Sequence, residues 1–194
     1  MPPRFRTLLL VACLLSLACL APSGAFAATR KGSDNASAAT GGVSPTDPRY
    51  APAKRAKIVN GIAYPPRGAP KQVVNAIAAA NRIIRMPYRY GGGHGSFNDS
   101  GYDCSGSVSY ALHGGGLLRS PLDSSSFMHW GLAGKGRWIT VYTNPGHAYA
   151  YIAGLRLDTG MRSNAKGAAP GSGPRWNYGA RSNSGYTARH PNGL

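Results

Sequence analysis

Gly101-Tyr102-Asp103-Cys104-Ser105-Gly106 reads as a glycine-flanked turn feeding a short helix, and it carries the one cysteine outside the first 27 residues. A lone thiol in an exported chain cannot close an internal disulfide, which leaves chemistry, metal binding or burial as its uses. The predicted helix opens at Cys104 and ends near the glycines at 114 to 116. Upstream, Pro70 suits the first turn of another helix, with Val73, Val74, Ile77, Ala80 and Ile84 at helical spacing and Pro87 beyond its end. A further helical turn is expected within Ser124 to Trp130.

Downstream the period changes. Ile139-Thr140-Val141-Tyr142-Thr143, His147-Ala148-Tyr149-Ala150-Tyr151-Ile152 and Leu155-Arg156-Leu157-Asp158-Thr159 are bounded by Asn144-Pro145-Gly146 and Gly154. They read as antiparallel strands joined by tight turns, with a last short strand expected around Tyr186 to Arg189. Helices first and sheet second indicate an α+β fold.

The chain opens with Met1-Pro2-Pro3-Arg4-Phe5-Arg6, an apolar run from Leu8 to Ala21, and Ala25-Phe26-Ala27. This is the anatomy of a signal peptide over residues 1–27, cleaved after Ala27, with a run too short for a stable membrane anchor. The expected location is the periplasm or cell envelope. Residues 28–69, rich in Ala, Gly, Ser, Pro, Lys and Arg, read as a disordered basic tether, leaving 70–194 as a single small domain.

The formal charge is +16, from 22 basic and 6 acidic side chains, and loss of Arg4 and Arg6 would bring it to +14. Such a balance calls for anionic partners, and in an exported protein these are envelope polymers rather than nucleic acid. Every acidic residue is Asp, so chemistry needing paired carboxylates has few possible members. One Cys and five scattered His show none of the paired spacings of a tetrahedral zinc site, and no metal or other cofactor is expected.

A free thiol has a pKa of ~8.5, and a helix N-terminus or an adjacent imidazolium lowers it to ~3.5–7.5. Ser105 and Gly106, following Cys104, would present unpaired N–H groups that favour a thiolate and could help hold an oxyanion. The base must come from His94, His113, His129, His147 or His190. His147 begins a strand directly after Pro145-Gly146, and alternation puts His147, Tyr149 and Tyr151 on one face. An antiparallel return could bring Asp158 beside that imidazole as the third member of a triad.

Pro87-Tyr88-Arg89-Tyr90-Gly91-Gly92, then Asp103-Cys104-Ser105-Gly106, then Gly146-His147 entering an apolar strand, together resemble the NlpC-type cell-wall cysteine endopeptidases over about residues 70 to 160. The resemblance implies a circularly permuted papain-like fold, with the nucleophile's helix packed on an antiparallel sheet. It also implies a thiol protease that hydrolyses amide bonds in peptidoglycan stem peptides; a monomer is expected. On it Cys104 takes the nucleophile's place, His147 the base's and Asp158 most nearly the orienting residue's, with Thr159 or His190 as fallbacks. Tyr88, Asp103 and Ser105 would line the subsite next to the thiol, and in members that require a free stem amine this trio holds it. Asp103 and Ser105 could equally cap the helix.

The chain departs from the family in several places. Tyr90 stands where Trp is usual, the Gly93 to Ser100 loop is longer and carries His94, read as a solvated loop residue, and the usual Gly-Asp-Leu before the histidine is missing. Residues 162–194 have no clear counterpart. Two other readings compete: a non-catalytic cationic envelope-binding protein, and an amidase or acyltransferase on the same scaffold.

Overall fold

The computed structural model describes residues 55–160 and 173–194. The expected signal peptide, the first part of the expected tether and the start of the 162–194 segment lie outside these residues.

The described chain is α+β. It runs β1 (Lys57–Val59), β2 (Ile62–Tyr64), α1 (Lys71–Ile83), α2 (Cys104–Gly114), α3 (Ser124–Phe127), β3 (Leu132–Ala133), β4 (Ile139–Asn144), β5 (His147–Ile152), β6 (Leu155–Asp158), β7 (Arg175–Asn177) and β8 (Thr187–His190). Six strands form one sheet in the order β3-β8-β4-β5-β6-β7, every neighbouring pair antiparallel.

The anticipated helices and central strands are all present. α1 buries Val73, Ala76, Ile77, Ala80 and Ile83, one face at three- and four-residue intervals. α2 ends where the glycines predict, through a Schellman arrangement: Gly116 N–H donates to the His113 carbonyl, Leu117 N–H to the Leu112 carbonyl, and Gly116 takes φ 71°. The two helices cross at small residues, since a Cβ on Gly114 would come within 2.2 Å of the Ala79 Cβ. The β5–β6 turn, Ala153-Gly154, has positive φ at both positions, the mirror-image turn whose twist matches that of a hairpin.

One expectation needs correction. The tether expected over 28–69 is shorter than that, since residues 57–64 form a hairpin whose Ala63 and Tyr64 are buried. Asn60-Gly61 turns it with φ of 50° and 80°, and Asn-Gly between short apolar runs is the strongest local hairpin signal. The Asn81 side chain on α1 then pins the hairpin, accepting from Ala63 N–H at 3.0 Å and donating to the Ala63 carbonyl at 2.8 Å. The folded unit therefore includes residues that composition alone assigned to a linker.

Strand alternation gives the sheet two unlike faces. Ile139 and Val141 of β4, Ala148, Ala150 and Ile152 of β5, and Leu155 and Leu157 of β6 join Val108, Ala111 and Leu112 of α2 in one aliphatic core. The intervening positions, Tyr142, His147, Tyr149, Tyr151, Arg156 and Asp158, form the opposite face. Tyr142 and Tyr149, paired across β4 and β5, stack at 5.3 Å. The segment after β7 lies along this face: Tyr149 Oη donates to Asn183 Oδ1 at 2.9 Å, and Tyr149 and Tyr186 meet edge to face at 5.1 Å.

Candidate active site

Cys104 is the first residue of α2, directly after the N-cap Asp103. Asp103 Oδ1 accepts from Gly106 N–H at 2.8 Å and its Oδ2 from Gly91 N–H at 3.1 Å, so one carboxylate fixes the helix start and the Gly91-Gly92 loop together. The two segments pack backbone to backbone: a Cβ on Gly106 would lie 2.0 Å from the Gly92 carbonyl oxygen. This close approach requires glycine at 106, while a Cβ on Gly92 would lie 2.3 Å from the Gly101 carbonyl oxygen.

His147 is the first residue of β5, after the Pro145-Gly146 turn. Its Nε2–H donates to Asp158 Oδ1 at 2.9 Å, leaving Nδ1 for the thiol. The β5–β6 register, with Ala150 opposite Leu157, carries on to set Asp158 one diagonal step from His147. The Asp158 side chain is fully buried, and its Oδ1 also accepts from Gly160 N–H at 2.8 Å.

The His147 ring and the Ala148 backbone N–H both favour the ionised form of the Cys104 thiol. Burial pushes the Cys104 thiol up, but the donors of His147 and Ala148 and the charge of His147 outweigh it, so the thiol ionises below its ordinary value. Burial likewise opposes the charged form of His147, yet the hydrogen bonds to Asp158 and Cys104 win and raise it to about 9. The two shifts favour a thiolate and an imidazolium, the activated form of a cysteine nucleophile.

Cys104 lies in a groove of about 600 Å³ bordered by Tyr88, Asp103, Ser105, His94 and Asp123. The structure thus brings Cys104, His147 and Asp158 together and places Tyr88, Asp103 and Ser105 beside the thiol. The fallbacks stand elsewhere in their contacts: Thr159 is buried, and His190, on β8, has its Nδ1 3.0 Å from the Pro191 carbonyl. Among the described residues, no three His, Cys, Asp or Glu side chains converge to hold a metal ion, and no helix is long and apolar enough to cross a membrane.

Two residues carry more than the sequence indicated. His94, expected to be a solvated loop residue, has Nε2 2.9 Å from Asp103 Oδ1 and 3.1 Å from Ser105 Oγ. It therefore takes up polar atoms of two of the three residues expected to line the subsite beside the thiol. A histidine flanked by Gly93 and Gly95 carries no periodic signal, and only its nearness to the motif glycines hinted at the site. Arg181, in the segment without a counterpart, donates from Nη1 to Asp158 Oδ2 at 2.9 Å. No pattern in the sequence around it marked that contact.

No family model and no curated protein matches the chain. Among solved structures it is similar to the peptidoglycan hydrolase RipB from Mycobacterium tuberculosis, at 24% identity and a TM-score of 0.45, over 61% of this chain and 64% of that one. It is similar also to a hypothetical invasion protein of Mycobacterium tuberculosis, at 21% identity and a TM-score of 0.43, over 62% and 65% of the two chains. A mutated form of the Resuscitation Promoting Factor Interacting protein RipA gives 21% identity and a TM-score of 0.44, over 63% and 66%. In each case the matched region spans less than two thirds of the other chain's length.

Proposed function

We propose that this chain is an exported cysteine peptidase of the NlpC type that hydrolyses amide bonds in the peptide stems of peptidoglycan. The observation that carries the reading is the Cys104 thiol at a helix start, its ionisation coupled to a histidine that a buried aspartate holds from behind, beside an open groove. The motifs around Tyr88, Cys104 and His147 direct it to the cell wall. In this mechanism the Cys104 thiolate attacks the scissile carbonyl, and N–H groups at the start of α2 receive the developing negative charge. The His147 imidazolium then gives its proton to the departing amine. The neutral imidazole next takes a proton from water, which displaces the thiolate from the acyl-enzyme and restores the pair. Asp158 keeps the ring's Nε2–H turned away from the thiol throughout. Export rests on the composition of residues 1–27, and the basic charge suits an anionic envelope.

Purified protein incubated with cell-wall sacculi should release peptide fragments whose masses identify the bond cut. Cys104→Ala and His147→Ala should each lower the rate by at least about 1,000-fold, as expected when nucleophile or base is removed from a unit that acts together. Full activity in Cys104→Ala would overturn the mechanism. Release of a fatty acid or another acyl group instead of stem fragments would overturn the substrate.

A further inference from the structure

The face of the sheet that holds His147 is closed by the C-terminal segment, and one side chain of that segment reaches the Asp158 carboxylate. Arg181 Nη1 donates to Asp158 Oδ2 at 2.9 Å and stands 3.3 Å from His147 Nε2. That second contact joins two donors, both aimed at the same carboxylate, and so is not a hydrogen bond when His147 carries a proton on Nε2. The guanidinium is itself held: Nη2 donates to Tyr186 Oη at 3.0 Å, and the group lies over the rings of Tyr149 at 5.1 Å and Tyr186 at 5.5 Å. Asp158 thus has its oxygens divided, Oδ1 to His147 and Gly160, Oδ2 to Arg181, with Arg156 Nε 3.5 Å from Oδ2.

We propose that Arg181 is a positioning residue for the reacting pair: it locks the rotation of the Asp158 carboxylate so that Oδ1 stays on His147, and its charge keeps the imidazolium from becoming too stable to yield its proton. The proposal rests on the reading of Cys104 and His147 as nucleophile and base. Among the described residues, the charged and titratable groups around His147 are Cys104 of α2, Tyr149 of β5, Asp158 and Arg156 of β6, and Arg181 and Tyr186 of the C-terminal segment. Of these, Asp158 and the Cys104 thiolate hold the proton on the ring. Among the described residues Arg181 is the cation nearest the ring nitrogen, at 3.3 Å, so its loss leaves the two anions less opposed. It is absent from the groove beside Cys104, and its effect should therefore fall on kcat and spare KM.

The test compares wild type, R181Q and R181K by NMR titration of the His147 ring and by the pH dependence of stem-peptide hydrolysis. R181Q should move the ring's titration midpoint upward by about one unit and lower kcat about tenfold with KM unchanged, while R181K should bring the midpoint back. An unmoved midpoint in R181Q, with only the melting temperature reduced, would overturn the proposal and leave Arg181 a purely structural tie. Should R181Q not fold, Tyr186→Phe removes the hydroxyl that receives Nη2 and leaves the charge. A fall in kcat of about threefold there, the worth of one modest hydrogen bond, supports positioning, and an unchanged kcat overturns it. If wild type cleaves no stem peptide, the assigned reaction fails, but the ring titration in R181Q still decides the role of Arg181.

Discussion

The two faces of the six-stranded sheet are made by alternate residues of the same three strands, yet they are built from different materials. On one, Ala148, Ala150, Ile152, Leu155 and Leu157 meet the aliphatic side of α2, and nothing but shape and exclusion of water orders them. On the other, His147, Tyr149, Arg156 and Asp158 sit in a web of charge-assisted hydrogen bonds and stacked rings beneath residues 178–186. An apolar face tolerates exchange of one aliphatic group for another at modest cost. A polar face buried to the same depth does not, because each group depends on a named partner. The proposed chemistry sits where these demands meet, with the thiol supplied from the helix side and the imidazole from the end of the polar face.

The sharpest way to break the polar face is Asp158→Ala. It leaves His147 and Arg181 without their common acceptor, and removing one partner of a buried ionic network costs about 3–5 kcal/mol. Urea unfolding should show that loss, and thiol alkylation should show Cys104 returning toward an ordinary, mostly protonated thiol. Asp158→Asn separates charge from shape. In wild type His147 holds its proton up to about 9, so hydrolysis should decline only as the pH passes that value. With the carboxylate made neutral, the imidazolium loses its strongest support and this alkaline limit should move downward. A limit that stayed near 9 in Asp158→Asn would mean that the thiolate alone holds the proton.

Leu112→Ala is the matching blow to the apolar face. Leu112 is wholly buried between α1 and the sheet, and truncations of this kind cost about 2–5 kcal/mol. The loss should appear in unfolding, whereas the activity of the remaining folded molecules should stay close to wild type. A proportional fall in kcat would show that the two faces are mechanically coupled through α2.

This division also decides what could be read in advance. The apolar face announces itself by period: the spacing from Val73 to Ile84 and the alternation through β4, β5 and β6 carry the architecture. Cys104, His147 and Asp158 were legible because turn residues fix the starts of α2 and β5, and a two-residue turn fixes the return of β6. Arg181 and Tyr186 were not. Their contacts depend on where an irregular segment comes to lie, and no local period encodes that. The hairpin over residues 57–64 was a different kind of miss, since Asn60-Gly61 states it locally and the basic, proline-rich surroundings hid it.

Asp103→Ala tests the seam between the faces and should have a smaller effect. Loss of an N-cap costs about 1 kcal/mol, and here the same carboxylate also ties down Gly91 and His94. Stability should fall by about 1–2 kcal/mol. More tellingly, the start of α2 should loosen against Gly92, and the pH midpoint for alkylation of Cys104, which reacts as the thiolate, should shift.

The smallest effect belongs to Tyr149→Phe, and it asks what holds the C-terminal segment on the polar face. The substitution removes the hydroxyl that donates to Asn183 Oδ1 at 2.9 Å and leaves the ring between Tyr142 and Tyr186, beneath Arg181. Asn183 is only half-buried, so its oxygen can turn to water and escape most of the penalty of an unmet acceptor. The expected loss is therefore about 1 kcal/mol or less in urea unfolding, with kcat unchanged. Were kcat to fall along with stability, the segment would be hanging from that one hydroxyl, and the stacking of Arg181 on the tyrosines would be a consequence of its docking instead of a cause.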